Sequence, residues 1–369
     1  MILALALQMP ITRRLWQANS GREAATAQFP RQYDCVILRM LLSIAICTRN
    51  RALHLAQTLE AMRGLHCPIG ATAELMVIDN ASTDGTAEAI RGFKHPQIEV
   101  RHIVEPHLGL SNARNRAMYE ARGECLLFTD DDVRVPPNWI EGMSAPHLAG
   151  KADITAGGVT LARHLRRPWM GATHLGYLAS TEHTSTEAHP WPVGANMALS
   201  RRAMEVVTAF DPELGAGTAY GVGEETLYHA QAEKAGLRTA FEWNVVVEHH
   251  FEPERLKRDS FVAFAGKVGR SIAYRQYHWE YAEQPDLQAN LKLSQRYLAL
   301  KRIRYAVSLL QSEGIPLWEL ALLTEIARLK QLIEEAKRQR NYNQFAPTKL
   351  RGTLPHVTST RGMGGSGVE

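Results

Sequence analysis

Three consecutive carboxylates, Asp130, Asp131 and Asp132, close the apolar run "ECLLFTDDD" at residues 124–132. Adjacent carboxylates repel one another and are costly to desolvate, so they mark either a solvated turn or a seat for a cation. If the chain continues extended, the first and third share a side. Such a pair makes an open site for a hard divalent ion, which takes one or two carboxylates and fills its shell with water and substrate phosphates. A second acidic pair, Glu224 and Glu225 in "GEET", can remove the proton of a hydroxyl acceptor, or can simply occupy a helix's first turn, where the dipole favours negative charge. His249 and His250 end "VVVEHH". An imidazole beside carboxylates favours Mn over Mg, and paired histidines are equally at home on a surface. Asp79 in "DNASTDGT" can accept from a nucleotide base or close an Asx-turn, and Arg49 in "CTRNR" can meet phosphate or ribose oxygens.

These residues need a scaffold that brings them together. From residue 42 the pattern alternates: a strand at "LLSIAI", a helix over 51–63, a strand at "ELMVI", a short helix from Thr86, a strand near "IEVRHIV", a helix near 110–121 and the strand that ends at the aspartates. Alternation of this kind implies parallel strands with helices on both faces, and ligands bind beyond the carboxyl ends of such strands. The polar loops "CTRNR", "DNASTD" and "TDDD" each follow a strand, so they should converge on one crevice. A strand at 153–159, a helix capped by Ser200, a helix over 223–235 and an extended "TAFEWNVVVEHH" follow. The chain then reads as helical from 257 to 340, with Leu322, Ile326, Leu329 and Ile333 at helical spacing and Glu334 placed to pair with Arg338.

The expected organisation is therefore a poorly structured leader (1–40), an α/β domain (41–255) whose pattern changes after residue 150, a helical C-terminal region (256–344), and a Gly-rich disordered tail (345–369). With 369 residues and 45% apolar composition the chain can bury a full core. A net charge of +4 is too small an excess to indicate a nucleic-acid partner. Cys35, Cys47, Cys67 and Cys125 form no CxxC pair and read as free thiols in a reducing compartment. The leader's arginines follow its apolar stretch, the wrong order for a secretory signal, and "CVILRMLLSIAI" is too short to span a bilayer. A cytoplasmic location is expected.

"SIAICTRNR", "LMVIDNASTDGT", "GLSNARNRAMYEARGECLLFTDDD", "VGANMALSRR" and "GVGEETLYHAQAEKAG", in this order, resemble the motifs of family 2 glycosyltransferases with the GT-A fold, over residues 42 to about 275. The resemblance implies a metal-dependent, inverting transfer from a nucleoside-diphosphate sugar to a glycan, lipid-linked or small-molecule hydroxyl, and makes 41–255 the catalytic domain, with a nucleotide-binding half (41–150) and an acceptor half (151–255). Thr48, Arg49 and Asp79 would hold the nucleotide. Gly109 and Arg114 would shape its pocket, the guanidinium touching the diphosphate or bracing the aspartates. The acidic metal motif falls on 130–132: Asp130 for ribose or metal, Asp132 for metal, and Asp131 as competitor. His249 would be a further ligand to Mn2+ or Mg2+. Asn196 and Glu224 join the sugar-nucleotide contacts, and Glu225 would be the base, where family members usually carry Asp.

Two other readings stay open: a catalytically silent member that binds nucleotide or scaffolds polysaccharide assembly, and a sugar nucleotidyltransferase. The latter would need a Gly-rich, Lys-bearing loop where this chain has "CTRNR". "GAGTAYGVG" (215–223) has the wrong spacing for a dinucleotide loop and is expected to be a mobile loop closing over the acceptor. "KVGRSIAYRQYHWEY" and "RYLALKRIRY" mix cations with aromatics, as solvated faces do and as helices at a membrane surface do, so a plain solvated face and peripheral contact with the inner membrane face both stay open.

Overall fold

In β1 (Met40–Thr48), Leu42, Ile44 and Ile46 enter one buried layer while Ala45 and Cys47 pack against another, the period of a strand covered on both faces. β2 (Ala71–Asp79) and β4 (Cys125–Asp130) divide in the same way. With β3 (Glu99–Val104), β5 (Val133–Arg134), β6 (Ile154–Leu161), β7 (Asn196–Ser200) and β8 (Thr239–His249) they form one eight-stranded sheet in the order β3-β2-β1-β4-β7-β6-β8-β5. The computed structural model describes residues 40–182 and 191–350. All but the last residue of the expected leader, and 351–369 of the expected tail, lie outside the described residues, as does Cys35.

β1 to β4 pair in parallel and β6 pairs in parallel with β8. β7 runs antiparallel to both its neighbours, β4 and β6, and β5 runs antiparallel to β8. The α/β class expected from the sequence is present, a mostly parallel sheet with two reversed strands, β7 near its centre and the short β5 at its edge against β8.

Ten α-helices are present among the described residues: α1 (Ala52–Ala61), α2 (Thr86–Gly92), α3 (Leu110–Glu120), α4 (Trp139–Leu148), α5 (Ala172–Tyr177), α6 (Arg201–Val206), α7 (Glu224–Lys234), α8 (Arg258–Arg275), α9 (Leu287–Arg304) and α10 (Leu317–Glu335). Side chains of α1, α2 and α4 fill one layer, with Leu55, Leu59, Ile90 and Trp139 buried. α3, α6 and α7 fill the other through Ala117, Met204 and Tyr228. Each fully buried aliphatic side chain contributes roughly 1.5–3 kcal/mol, so these two layers fix where every strand ends. As expected, Ser200 caps α6 by accepting from the Ala203 amide at 3.1 Å.

The C-terminal helices are more than an appendage. Phe261 and Ala265 of α8 share a core cluster with Leu161 of β6 and Leu320 of α10. Packing continues into the stretch expected as tail: Lys349 Nζ lies 2.7 Å from Asp211 Oδ1. The outer-face pairing also differs from expectation, because Arg338 turns inward to Glu335 and Glu213 while Glu334 meets Lys337.

Candidate active site

The three polar loops do converge. They open on a cavity of about 650 Å³ lined by Thr48 and Arg49 after β1, Asn80 after β2, Asp130–Asp132 after β4 and His249 at the end of β8. Gly109 just before α3 and Arg114 within it, Glu224 and Glu225 at the start of α7, and the Gly194–Ala195 turn complete it. The first half of α8 forms a further wall through Ser260, Phe264 and Lys267.

The aspartate triplet is resolved by its partners. Asp131 has both oxygens engaged: Thr48 Oγ1 donates to Oδ2 at 2.7 Å and Arg51 Nε stands 3.0 Å from Oδ1. Asp132 Oδ2 accepts from Arg51 Nη2 at 2.7 Å, while its Oδ1 faces His249 Nε2 at 3.3 Å. Asp130 accepts no hydrogen bond among the described residues; its side chain is 35% exposed, with Arg114 Nη2 at 3.8 Å. Burial pushes Asp131 up to about 7. Burial also opposes ionisation of Asp132, yet His249 and Arg51 hold it well below the usual carboxylate range. The mutual repulsion read in the sequence is thus offset first by a residue sequence reasoning missed, Arg51, the last letter of "CTRNR". Its signal was a cation following directly on the strand beside the acidic one.

Arg114 braces the acids, one of its two expected roles. It is buried, and Nη1 donates to Glu224 Oε1 at 2.7 Å. Burial works against its charge, but Glu224, Glu225 and Asp130 more than offset that and hold its pKa above the ordinary value. Gly194 is required here: a Cβ on it would stand 1.9 Å from Arg114 Nη2. Glu225 follows Glu224 into the cavity. Its Oε2 is buried with no hydrogen-bond donor among the described residues, Arg114 Nη1 being 4.0 Å away. Burial and the neighbouring Glu224 push Glu225 up to about 8.

Two expected contacts are displaced. Asn196 is fully buried at the start of β7, where it donates to Gly158 O and Val245 O and accepts from Trp139 Nε1, so it ties the sheet together instead of facing a sugar. The neighbouring Val193, Gly194 and Ala195 line the cavity in its place. Asp79 does not line the cavity; it closes an Asx-turn to the Ser82 amide at 2.9 Å and meets His102 Nε2 at 3.1 Å. Asn80 occupies that corner, accepting from the Gly109 amide at 2.8 Å. The loop expected to be mobile is tied down: Ala216 O accepts from Leu110, Ala219 O from Arg270, and buried Tyr220 bonds Glu335.

Sequence reasoning also missed two cations. Arg255 and Lys267 line the cavity without a carboxylate in ion-pair contact among the described residues, as does Arg49. Burial lowers the Arg255 pKa, with Asp132 opposing that shift.

Whether these residues fit a divalent ion turns on their free donor atoms. Among the described residues no three His, Cys, Asp or Glu side chains already converge as a metal cluster. What is present is an open Asp130, one oxygen of Asp132 beside His249 Nε2, and a buried His249 Nδ1 with no hydrogen-bond partner among the described residues. One or two carboxylates with open coordination sides fit a hard cation that arrives with water and phosphate oxygens.

Residues 43–208 match the family model described as glycosyl transferase family 2. The succinoglycan biosynthesis protein ExoM of Rhizobium meliloti (strain 1021) is 29% identical over 101 residues, 27% of this chain and 32% of that protein. A dolichol-phosphate mannosyltransferase of Saccharomyces cerevisiae is 32% identical over 84 residues, 22% of this chain and 32% of that protein. The chain thus aligns with about a third of the length of these curated relatives. Among solved structures, the mannosyltransferase PcManGT from Pyrobaculum calidifontis, in complex with GDP-Man and Mn2+, shares 21% identity at a TM-score of 0.46, over 81% of this chain and 74% of that one.

Proposed function

The chain belongs to glycosyl transferase family 2 through residues 43–208, and from that premise we propose that it moves a sugar from a nucleoside-diphosphate sugar to a hydroxyl acceptor with inversion. The observation that carries the reading is the meeting, in one cavity, of an open acidic rim (Asp130, Asp132), three cations without a carboxylate partner among the described residues (Arg49, Arg255, Lys267) and a carboxylate, Glu225, whose Oε2 has no hydrogen-bond donor among them.

The step is one displacement. Glu225 Oε2 takes the acceptor hydroxyl's proton as that oxygen attacks the anomeric carbon, and the bond to the diphosphate breaks on the opposite side. The cations receive the charge that develops on the departing nucleoside diphosphate. Asp130, Asp132 and His249 would hold Mn2+ or Mg2+, which when bound neutralises the same leaving group. Thr48 and Arg51 keep Asp131 and Asp132 fixed, and Arg114 keeps the start of α7, with Glu225, at the cavity wall. The acceptor is proposed to be a glycan or lipid-linked hydroxyl, in keeping with relatives named for succinoglycan and dolichol phosphate.

A second reading, a silent nucleotide-binding member, is favoured by the raised Glu225, since a carboxyl still protonated near neutral pH is a poor base. Incubation with UDP-, GDP- and dTDP-sugars plus Mn2+, following product release, separates the readings. Nucleoside diphosphate release supports transfer, formation of nucleoside triphosphate and sugar 1-phosphate only when pyrophosphate is added points to nucleotidyl transfer, and binding without either product means a silent protein.

A further inference from the structure

We propose that the outward face of α9, with the turn that follows it, docks on an anionic lipid surface. From Leu287 to Ser312 the chain carries five cationic side chains, Lys292, Arg296, Lys301, Arg302 and Arg304, and no Asp or Glu. No residue of α9 is fully buried. The helix packs along α10 with Leu287, Leu291 and Leu298 half-buried, and presents a second apolar row to solvent. Leu293, Tyr297, Leu300 and Ile303, spaced by four, three and three, are 53%, 53%, 65% and 78% exposed, and Val307 and Leu310 beyond them are 81% and 83% exposed. These spacings put the four helical residues on one face, with Lys292, Arg296 and Arg304 falling along the same arc.

Arg302 is engaged by buried Glu319 at 2.7 Å, whereas Lys292, Arg296, Lys301 and Arg304 have no carboxylate partner among the described residues. An apolar ridge flanked by unpaired long cations is the chemistry of a helix lying in the lipid interface, its leucines at the acyl boundary and its charges reaching the headgroups. Among the described residues no helix is long and apolar enough to cross a membrane, so the helix lies on the surface and does not span it. A second copy of the chain is the poorer occupant, since a two-fold contact through this face would set like charge against like. The other stretch with mixed cations and aromatics, "KVGRSIAYRQYHWEY", does not serve: Ser271, Ala273, Tyr274, His278 and Trp279 are buried against the protein's own body.

The test uses the full chain and does not depend on activity. In co-sedimentation, the protein should bind vesicles of phosphatidylcholine with phosphatidylglycerol, bind less as salt rises, and bind pure phosphatidylcholine far more weakly. Arg296→Gln with Arg304→Gln should weaken binding about fivefold per cation removed. Leu300→Glu with Ile303→Glu should abolish binding while leaving the unfolding transition in place, because both side chains are exposed. Equal binding to both vesicle types, no binding by the parent chain, or variants that bind unchanged would overturn the proposal. So would a lipid-free dimer in light scattering that these variants dissolve, which would assign the face to a second copy.

Discussion

Arg114 Nη1 lies 2.7 Å from Glu224 Oε1, joining residues 110 positions apart in the chain, and the same nitrogen stands 4.0 Å from Glu225 Oε2. This buried pair ties α3 to the start of α7 and so decides where Glu225 can reach. Removing one partner strands the other charge without solvent. Arg114→Met should therefore cost about 3–5 kcal/mol in chemical denaturation. Adding Glu224→Met should recover much of that loss, because a well-packed apolar pair replaces two desolvated charges. Independent, additive losses in the double-mutant cycle would mean that the two do not act as a pair.

Gly194 is the position that lets this guanidinium pass. A methyl group there would sit 1.9 Å from Arg114 Nη2, closer than any relaxed contact. Gly194→Ala should displace Arg114, weaken the protein by an amount approaching that of Arg114→Met, and lower turnover through misplaced Glu225. Combining Gly194→Ala with Arg114→Met should add little further loss, since the clash partner is gone. A neutral Gly194→Ala would show that the arginine has room to move.

Six of the eight strands and most helices were legible in the sequence because much of the pairing that defines them is buried, whereas β5, of two residues, and β7, of five, are too short to carry a pattern and were not read. Leu42, Ile44 and Ile46 against Ala45 and Cys47 is a pattern that water imposes. The convergence of the loops followed from parallel topology alone. What was not legible was the division of labour inside the acidic triplet, because three identical residues carry no information about which one a neighbour will claim. Arg51 claims two of them by reaching across from the loop after β1, and Thr48 completes the capture of Asp131. Asn196 misled for a related reason: its motif marks the turn that lines the cavity, but strand pleating turns its own amide inward to three buried partners. The role of α8 as a cavity wall was hidden because helical periodicity says which face is apolar and not what it covers.

Glu225 tests the chemistry. Glu225→Gln should keep nucleotide-sugar binding and lose turnover by roughly 10²–10⁴-fold, the usual contribution of a positioned base. The pH profile of kcat/KM should rise with an ascending limb near pH 8, since burial and Glu224 raise this carboxyl to about 8. The stability effect has a definite sign. A raised folded-state pKa means that the folded protein binds more protons than the unfolded chain between the ordinary glutamate value and about 8, so stability falls as pH rises through that window. Glu225→Gln should lessen that fall and leave the variant more stable than the parent chain at pH 8–9, read as melting temperature against pH.

The acidic rim makes the last prediction, through metal removal. Asp130 is the open carboxylate, and Asp132 Oδ1 faces His249 Nε2 at 3.3 Å, while Asp131 has neither oxygen free. If the first two hold the ion, nucleoside diphosphate should raise the melting temperature strongly with Mn2+ and weakly with EDTA, since ligand affinity converts directly to added stability. Asp132→Asn and Asp130→Asn should each erase the Mn2+-dependent part of that shift. Asp131→Asn should instead lower the melting temperature of the unliganded protein, because it weakens the Thr48 and Arg51 contacts, while keeping the Mn2+-dependent increment. An increment lost only in Asp131→Asn would move the ion to the residue that the geometry disfavours. An increment unchanged in all three would place the ion away from these carboxylates, and no Mn2+-dependent increment in the parent chain would leave the diphosphate to Arg49, Arg255 and Lys267 alone.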